Sequence, residues 1–375
     1  MTLTARRSSR TRQTRQTRQT QQTQRTLPVA VLATVTSLSF ALTACSSDDD
    51  DGGSDSTAAD GASYPMTFST AWGDSTLDEK PERIAAVGYK DPDIVASLGE
   101  VPVVMWENIL KQEVWTVDAF DGEEPESTST FADDGSIDLE EVAAAEPDLI
   151  LASQMDLADQ YDDLSQIAPV IGAETEEDVS GNWQQTVTDL GAALGKESDA
   201  EDVIKETSDV AADAKSEHPE FEGKSISMLN YFGLDTIRYL NAEDSDAAEL
   251  MGSIGFDTIE DSGSFGSDDI SAERLDDTAA DVMVVMDNSD GKIEDLLDNP
   301  SFRAIPAVKE GRLLVFHNEA FVEDGKSAYT VNDGDEEHEG NLPWAIAYPG
   351  PLSTQWALET LTPLLSDIVE GREVS

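Results

Sequence analysis

The sequence predicts an α/β protein: two similar lobes joined by one long helix, with a ligand cleft between them. Three observations predict it. Short apolar runs alternate with helical stretches, which is the pattern of parallel strands fed by crossover helices. That pattern is given twice, because Ile137-x-x-Glu140 with Asp148-Leu149-Ile150-Leu151 returns as Ile270-x-x-Glu273 with Asp281-Val282-Met283-Val284, offset throughout by 133 residues. Between the two copies, Ser198 to Ser216 carries neither Gly nor Pro and reads as one helix of about five turns.

In chain order, residues 1–44 read as an address. Seven arginines and no acid precede Cys45, and an apolar stretch from Leu27 to about Ala41 follows the basic segment. A charged start, a short apolar core and small residues at the cut make a signal peptide, and the stretch is too short and too rich in Thr and Ser to span a bilayer well. Leu42-Thr43-Ala44-Cys45 resembles the bacterial lipobox, which implies a lipid on Cys45 and a place on the outer face of the cell membrane. Residues 45–63 contain no apolar side chain larger than Ala beyond that cysteine and are expected to form a flexible acidic tether.

The first lobe is expected over 64–182. Pro81 to Gly88 holds a short buried strand, Asp91 to Leu98 a helix closed by Gly99, and Val101 to Trp106 a second strand. Leu139 to Ala145 is helical, Pro147 breaks it, and Asp148 to Ala152 is a strand. Residues 183–222 form the connecting helical region, ended by Pro219 and Gly223. The second lobe, 223–375, opens with a strand at Ser225 to Tyr231, a strand-like Thr236 to Leu240, a helix at Asp246 to Ser253 and a short strand at Asp257 to Ile259. Pro306 to Phe316 reads as helix into strand, Asn341 to Pro351 as a loop rich in aromatics, Pro and Gly, and the chain then closes on a helix.

Charge excludes whole classes of partner. Of 23 basic residues seven precede Cys45, whereas all 78 acids follow it, so the body carries 16 basic against 78 acidic side chains, a formal charge near −62. Such a field repels phosphates, which removes nucleic acid, and disfavours anionic lipid as a docking surface for the body. A single cysteine rules out an intrachain disulfide and a thiolate zinc site. The histidines His218, His317 and His338 have no ligand-pair spacing, so no resident metal is expected. There is no Gly-x-Ser-x-Gly elbow, phosphate loop or body thiol, and so no expected enzyme activity.

The stretches Pro81 to Gly88, Asp138 to Ser153, Trp183 to Gly195, Ile270 to Asp287, Leu297 to Phe316 and Gly350 to Leu365, in this order, resemble the substrate-binding proteins of iron–siderophore ABC importers. The resemblance implies two Rossmann-like lobes, capture of a ferric siderophore as ligand rather than cofactor, and delivery by a monomer to a permease dimer with its cytoplasmic ATPase. It also implies one docking acid per lobe, matched here by Glu140 and Glu273. Haem and corrinoid binders share the architecture and remain alternatives, as do a chelatase-like enzyme and a lipoprotein without a small ligand.

Ligands of open α/β folds sit beyond the carboxyl ends of strands. Tyr89, Trp106, Tyr231, Asn288 and His317 each follow such a strand, and Trp344 and Tyr348 lie in the aromatic loop. An anionic chelate needs a local cation, for which Arg238 is the first candidate and Lys90 the second.

Overall fold

The computed structural model describes residues 62–372 and 374, apart from 108–112, 132–134, 176–181, 266–268, 290, 320–326, 333 and 335. The expected leader, Cys45 and most of the tether lie outside the described residues. No helix among the described residues is long and apolar enough to cross a membrane.

An antiparallel hairpin of β1 (Met66–Thr70) and β2 (Gly73–Leu77) leads into the first lobe. Its sheet contains β3 (Ile84–Ala86), β4 (Val104–Trp106), β5 (Ser127–Ser129), β6 (Leu149–Ala152) and β7 (Val170–Gly172) in the order β5-β4-β3-β6-β7. Every pair is parallel. Parallel strands covered on both faces need apolar residues at every position, which is why Leu149 to Ala152 is a continuous run rather than an alternation. One face buries Ala85, Val104 and Ile150; the other buries Ile84, Ala86, Leu149 and Leu151. The lobe's helices are α1 (Asp91–Ser97), α2 (Val114–Ala119), α3 (Leu139–Ala144) and α4 (Tyr161–Ile167).

Two helices fill the region between the lobes. The first, α5 (Trp183–Leu194), packs Val187, Leu190 and Leu194 into the core of the first lobe. Gly195, at φ +65°, ends it in the left-handed conformation that costs glycine least. The second, α6 (Glu197–Glu217), has 21 residues and so runs about 30 Å.

The second lobe holds β8 (Ile226–Gly233), β9 (Thr236–Tyr239), α7 (Asp246–Ser253), β10 (Val282–Asp287), α8 (Ile293–Leu297), α9 (Pro300–Ala304), α10 (Pro306–Lys309), β11 (Leu313–Glu319), β12 (Ala328–Val331), β13 (His338–Glu339), α11 (Leu342–Ala347) and α12 (Pro351–Val369). Its sheet runs β13-β12-β11-β10-β8-β9, with β8, β10 and β11 parallel and the outer strands antiparallel. Here too successive residues point to opposite faces. Met228, Val284, Met286, Leu314 and Phe316 pack against α11 and α12, while Leu229, Tyr231, Val285 and Val315 form the other core.

A non-covalent tie supplements the helical link. Asp93 on α1 accepts the backbone N–H groups of Leu352 and Ser353 at 2.8 and 2.9 Å, capping α12 from across the lobes. A carboxylate there meets two orphan donors and the positive end of a long helix. Burial nevertheless pushes the Asp93 carboxyl up to about 6.

The 133-residue repeat is physical. Ile137 and Ile270 are both 3% exposed, and Val142 and Leu275, at the same offset, are completely buried. Asp148 accepts the N–H groups of Glu82 and Arg83 at 2.9 and 2.8 Å, and Asp281 accepts the N–H and hydroxyl of Ser225 at 3.0 and 3.2 Å. Each aspartate thereby fixes the start of the neighbouring strand in its own lobe.

Three local expectations are corrected. Asp257 to Ile259 is not a strand: only Asp257 bridges to Ser225, because β9 occupies the edge of β8 beyond that point. The second repeat's helix, Ala272–Thr278, is 3₁₀ rather than α, and its buried Leu275 and Thr278 stand three residues apart, the spacing that eclipses in the tighter helix. The Asn341 to Pro351 loop is largely helix α11, capped by Asn341 to the Trp344 N–H at 3.2 Å and carrying Pro343 in its first turn. His338 lies in β13 with its ring stacked on Tyr329 at 5.2 Å.

Candidate functional site

The carboxyl ends of β3 and β4 deliver Tyr89 and Trp106 to the boundary between the lobes. The turn after β3 is held by Asp91, whose carboxylate accepts the N–H groups of Gly88 at 2.5 Å and Ser153 at 3.2 Å, together with the Ser153 hydroxyl. Only glycine fits at 88, since a Cβ there would come within 2.1 Å of the Ser153 carbonyl oxygen. This turn aims the Tyr89 ring outward and the Lys90 side chain inward.

From the other lobe, α11 and the residue after it present Trp344 and Tyr348. The rings meet across the boundary. Trp106 stacks on Trp344 with centroids 5.1 Å apart, Tyr89 stacks on Tyr348 at 4.9 Å, and Trp344 meets Tyr348 at 4.2 Å. Phe131, which sequence reasoning missed, completes the group at 5.1 Å from Tyr89 and 5.2 Å from Trp106. Its signal was weak: a lone Phe after a Ser-Thr strand.

Arg238 is brought to the same place. Burial and neighbouring Tyr89 raise the Tyr348 phenol above its ordinary range, while the Arg238 charge pulls it back. The Arg238 side chain is 58% exposed, stands 3.5 Å from Asp269 and lies over the Phe232 ring at 5.6 Å. An ion pair that long and that open contributes little, so the guanidinium stays available. Phe232, 39% exposed, is the large apolar side chain left open to water among the described residues.

Strand parity sorts the remaining candidates. Asn230, opposite Arg238 in the β8–β9 register, shares its face with Met228 and Phe232. Asn288 donates to Asn230 at 2.5 Å and accepts from Asn318 at 3.2 Å, so three side-chain amides form a row across β8, β10 and β11. The row lies on the sheet face that carries α11. Tyr231 and His317 do not, and this corrects their expected place on the cleft wall. Tyr231 is fully buried in the opposite core with its hydroxyl donating to the Lys292 carbonyl at 3.1 Å. His317 pairs through Nδ1 with Asp287 at 2.9 Å on that same opposite face. Burial raises the Asp287 carboxyl, but hydrogen bonds from His317 and Ser289 outweigh it and hold it below its ordinary range. A one-residue step along a strand reverses the face, so Asn230 shares the face of α11 while its neighbour Tyr231 points into the opposite core.

Lys90 is also relocated by its surroundings. It is 2% exposed, and its ammonium bonds Asp246 at the start of α7, across the lobes, at 2.9 Å. Burial lowers its pKa and Asp246 opposes that shift. Glu140 and Glu273 are exposed, each two residues after a capping residue, Asp138 and Ser271 respectively. The repeat thus presents them in equivalent first turns. A crevice at the end of β6, lined by Ser153, Gln154, Asn182 and Asp189, has a volume of about 20 Å³ and holds no more than water. Among the described residues, no group of three or more His, Cys, Asp or Glu is placed to hold a metal ion.

This geometry has relatives. Residues 84–320 match the family described as periplasmic binding protein. The Fe(3+)-citrate-binding protein YfmC of Bacillus subtilis is 26% identical over 243 residues, which is 64% of this chain and 75% of the relative. Among solved structures, a periplasmic solute binding protein of Mycobacterium smegmatis superposes with a TM-score of 0.63 at 23% identity, covering 81% of this chain and 99% of the other. PiaA of Streptococcus pneumoniae, solved in complex with ferrichrome, gives 0.62 at 23% identity over 82% of this chain and 99% of its own.

Proposed function

Because the chain belongs to the periplasmic binding protein family, we propose that it captures a ferric siderophore between its lobes and delivers it to an ABC importer. The observation that carries this reading is the ring cluster: Tyr89, Trp106 and Phe131 from one lobe meet Trp344 and Tyr348, on and just after α11, from the other. Rings from two bodies, parted by a bulky flat-sided ligand and closed around it, give both contact area and a closure signal. Asn288, its neighbours Asn230 and Asn318, and Arg238 supply the polar contacts on the second lobe. The iron stays in its chelator, so delivery needs no bond-making step on the protein.

Glu140 and Glu273 serve as docking acids for a permease dimer powered by a cytoplasmic ATPase, and their equivalent positions in the repeat suit a partner with twofold symmetry. Cys45 is the lipid attachment point, and the acidic residues after it keep the monomeric body off the anionic surface.

Two tryptophans in the cluster make the test direct. Titration of the purified protein with ferric siderophores should quench tryptophan fluorescence saturably, and the iron-free siderophores should not. Absence of saturable quenching by any ferric chelate, with the protein folded by circular dichroism, defeats the reading.

A further inference from the structure

We infer that the cleft selects a ferric chelate of low net charge, of the trihydroxamate type, over polyanionic catecholate or citrate chelates. The inference rests on the siderophore reading above and adds the ligand's chemical class.

Of the two cations near the site, one is matched and the other is only loosely paired. Lys90 is enclosed and bonded to Asp246, with Asp93 and Glu249 also within electrostatic reach. Arg238 stands beside Asp269. Of the body's 16 basic residues, Lys111 and Lys326 lie outside the described residues, and several of the others are held by partners elsewhere in the fold. Arg83 and Arg312 bond carbonyls or acids at the amino ends of the strands, the far edge from the site. Lys196 is held by Glu100 and the Leu98 carbonyl, and Lys205 by Asp209 on α6. Lys292 follows β10, and its backbone carbonyl takes the Tyr231 hydroxyl. Among the described residues, the one guanidinium beside the rings cannot balance a trianion inside a body whose formal charge is near −62.

What the site does offer is neutral. Five rings provide apolar and π surface, and the asparagine row provides amide donors and acceptors. One of them, Asn318 Oδ1, is buried and accepts no hydrogen bond from the described residues. A hexadentate trihydroxamate cancels the ferric charge with its three hydroxamate anions, presents carbonyl and amide groups along its backbone, and leaves an apolar perimeter. Its N–H groups match the free amide oxygen, its carbonyl oxygens match the amide N–H groups, and its single strongest demand for positive charge is met by Arg238 at the iron-bound oxygens.

The test is a competition by charge on the full-length protein, read by tryptophan quenching. The probes are a neutral ferric trihydroxamate, a trianionic ferric tris-catecholate and ferric citrate, each at about 0.15 M and about 1 M salt. High salt shortens the screening length to about 3 Å, which removes the body's long-range repulsion and leaves local recognition. The neutral chelate should bind at least about tenfold more tightly than either anion at both salt concentrations, and Asn288→Leu should weaken it about tenfold while leaving the circular dichroism spectrum unchanged. Equal or tighter binding of an anion at high salt overturns the inference and leaves the siderophore reading intact. Failure of all three ferric chelates overturns both. An Asn288→Leu protein with unchanged affinity for the trihydroxamate removes the asparagine row from the argument and defeats the assignment of chelate class.

Discussion

Replacing Lys90 by Met should loosen the lobes. The Lys90 ammonium sits 2.9 Å from Asp246, with side-chain exposures of 1% and 17%, and the bond joins the turn after β3 to the start of α7. Met preserves most of the stem and deletes the charge. It leaves Asp246 without its cation and with Asp93 and Glu249 near the vacated place. Breaking one side of a buried pair costs about 3–5 kcal/mol when the remaining charge stays enclosed. Asp246 is partly open, and separation of the lobes would hydrate it fully, so the cost falls to about 2–3 kcal/mol and is met by opening rather than unfolding. The double variant Lys90→Met with Asp246→Leu removes both charges and should recover most of that loss, giving a coupling of about 2 kcal/mol in a four-protein cycle. Urea denaturation measures the stability, and acrylamide quenching of tryptophan measures the opening, because Trp106 and Trp344 lose their mutual stack when the lobes part. Single variants within about 0.5 kcal/mol of the parent and additive in the double would refute the latch. Loss of ligand affinity with stability and quenching unchanged would instead make Lys90 a ligand contact.

Other perturbations test other joints. Gly88→Ala should cost about 3 kcal/mol in urea denaturation, because the new Cβ meets the Ser153 backbone, which cannot swing aside as a side chain would. Asp93 gives a pH test: its folded carboxyl, raised to about 6 from an ordinary 3.8, favours the folded state in acid, and that contribution is lost as pH rises through about 6. At about 1.4 kcal/mol per pKa unit, the parent should lose about 3 kcal/mol more than Asp93→Asn between pH 4 and pH 7.5, and parallel stability curves would contradict it. Arg238→Ala should weaken an anionic chelate at least about fivefold more than a neutral one, and equal losses would take the guanidinium out of the site. Glu140→Ala with Glu273→Ala should leave chelate binding unchanged and cut iron uptake in cells about tenfold or more; undiminished uptake would end their docking role.

The scaffold was legible because it obeys periodicity. Ile137, Glu140 and Asp148 predicted Ile270, Glu273 and Asp281 by offset alone, and burial and hydrogen bonding follow that pairing. The helix at Asp246 to Ser253 coincides residue for residue with α7, since Ser245 caps it and apolar residues recur along one face. The site was only half legible. Aromatic residues near strand ends named Tyr89, Trp106, Trp344 and Tyr348, whose rings meet in one cluster, but they could not decide which face a strand residue takes. That decision depends on pairing register, so Tyr231 and His317 were chosen where Asn230, Phe232 and Asn318 share the face of α11. The partner of Lys90 was also invisible, because Asp246 lies 156 residues away and acids are too common in this chain for any one to stand out.

The repeat and the site occupy opposite ends of the same strands, and this explains how one half of the molecule stays symmetrical while the other diverges. At the amino ends, Asp148 and Asp281 hold their neighbouring strands alike, and Val142 and Leu275 plug their lobes alike. These are packing and capping constraints, and any departure costs stability in both lobes for the same reason. At the carboxyl ends the equivalence stops. The first lobe gives three rings, while the second gives two rings, a row of amides and a guanidinium. Loops there answer to no repeat, since no strand pairing or shared core holds them alike. The two walls are therefore chemically unlike, rings on one and rings with amides and a guanidinium on the other, while the exposed Glu140 and Glu273 keep equivalent places in the repeat.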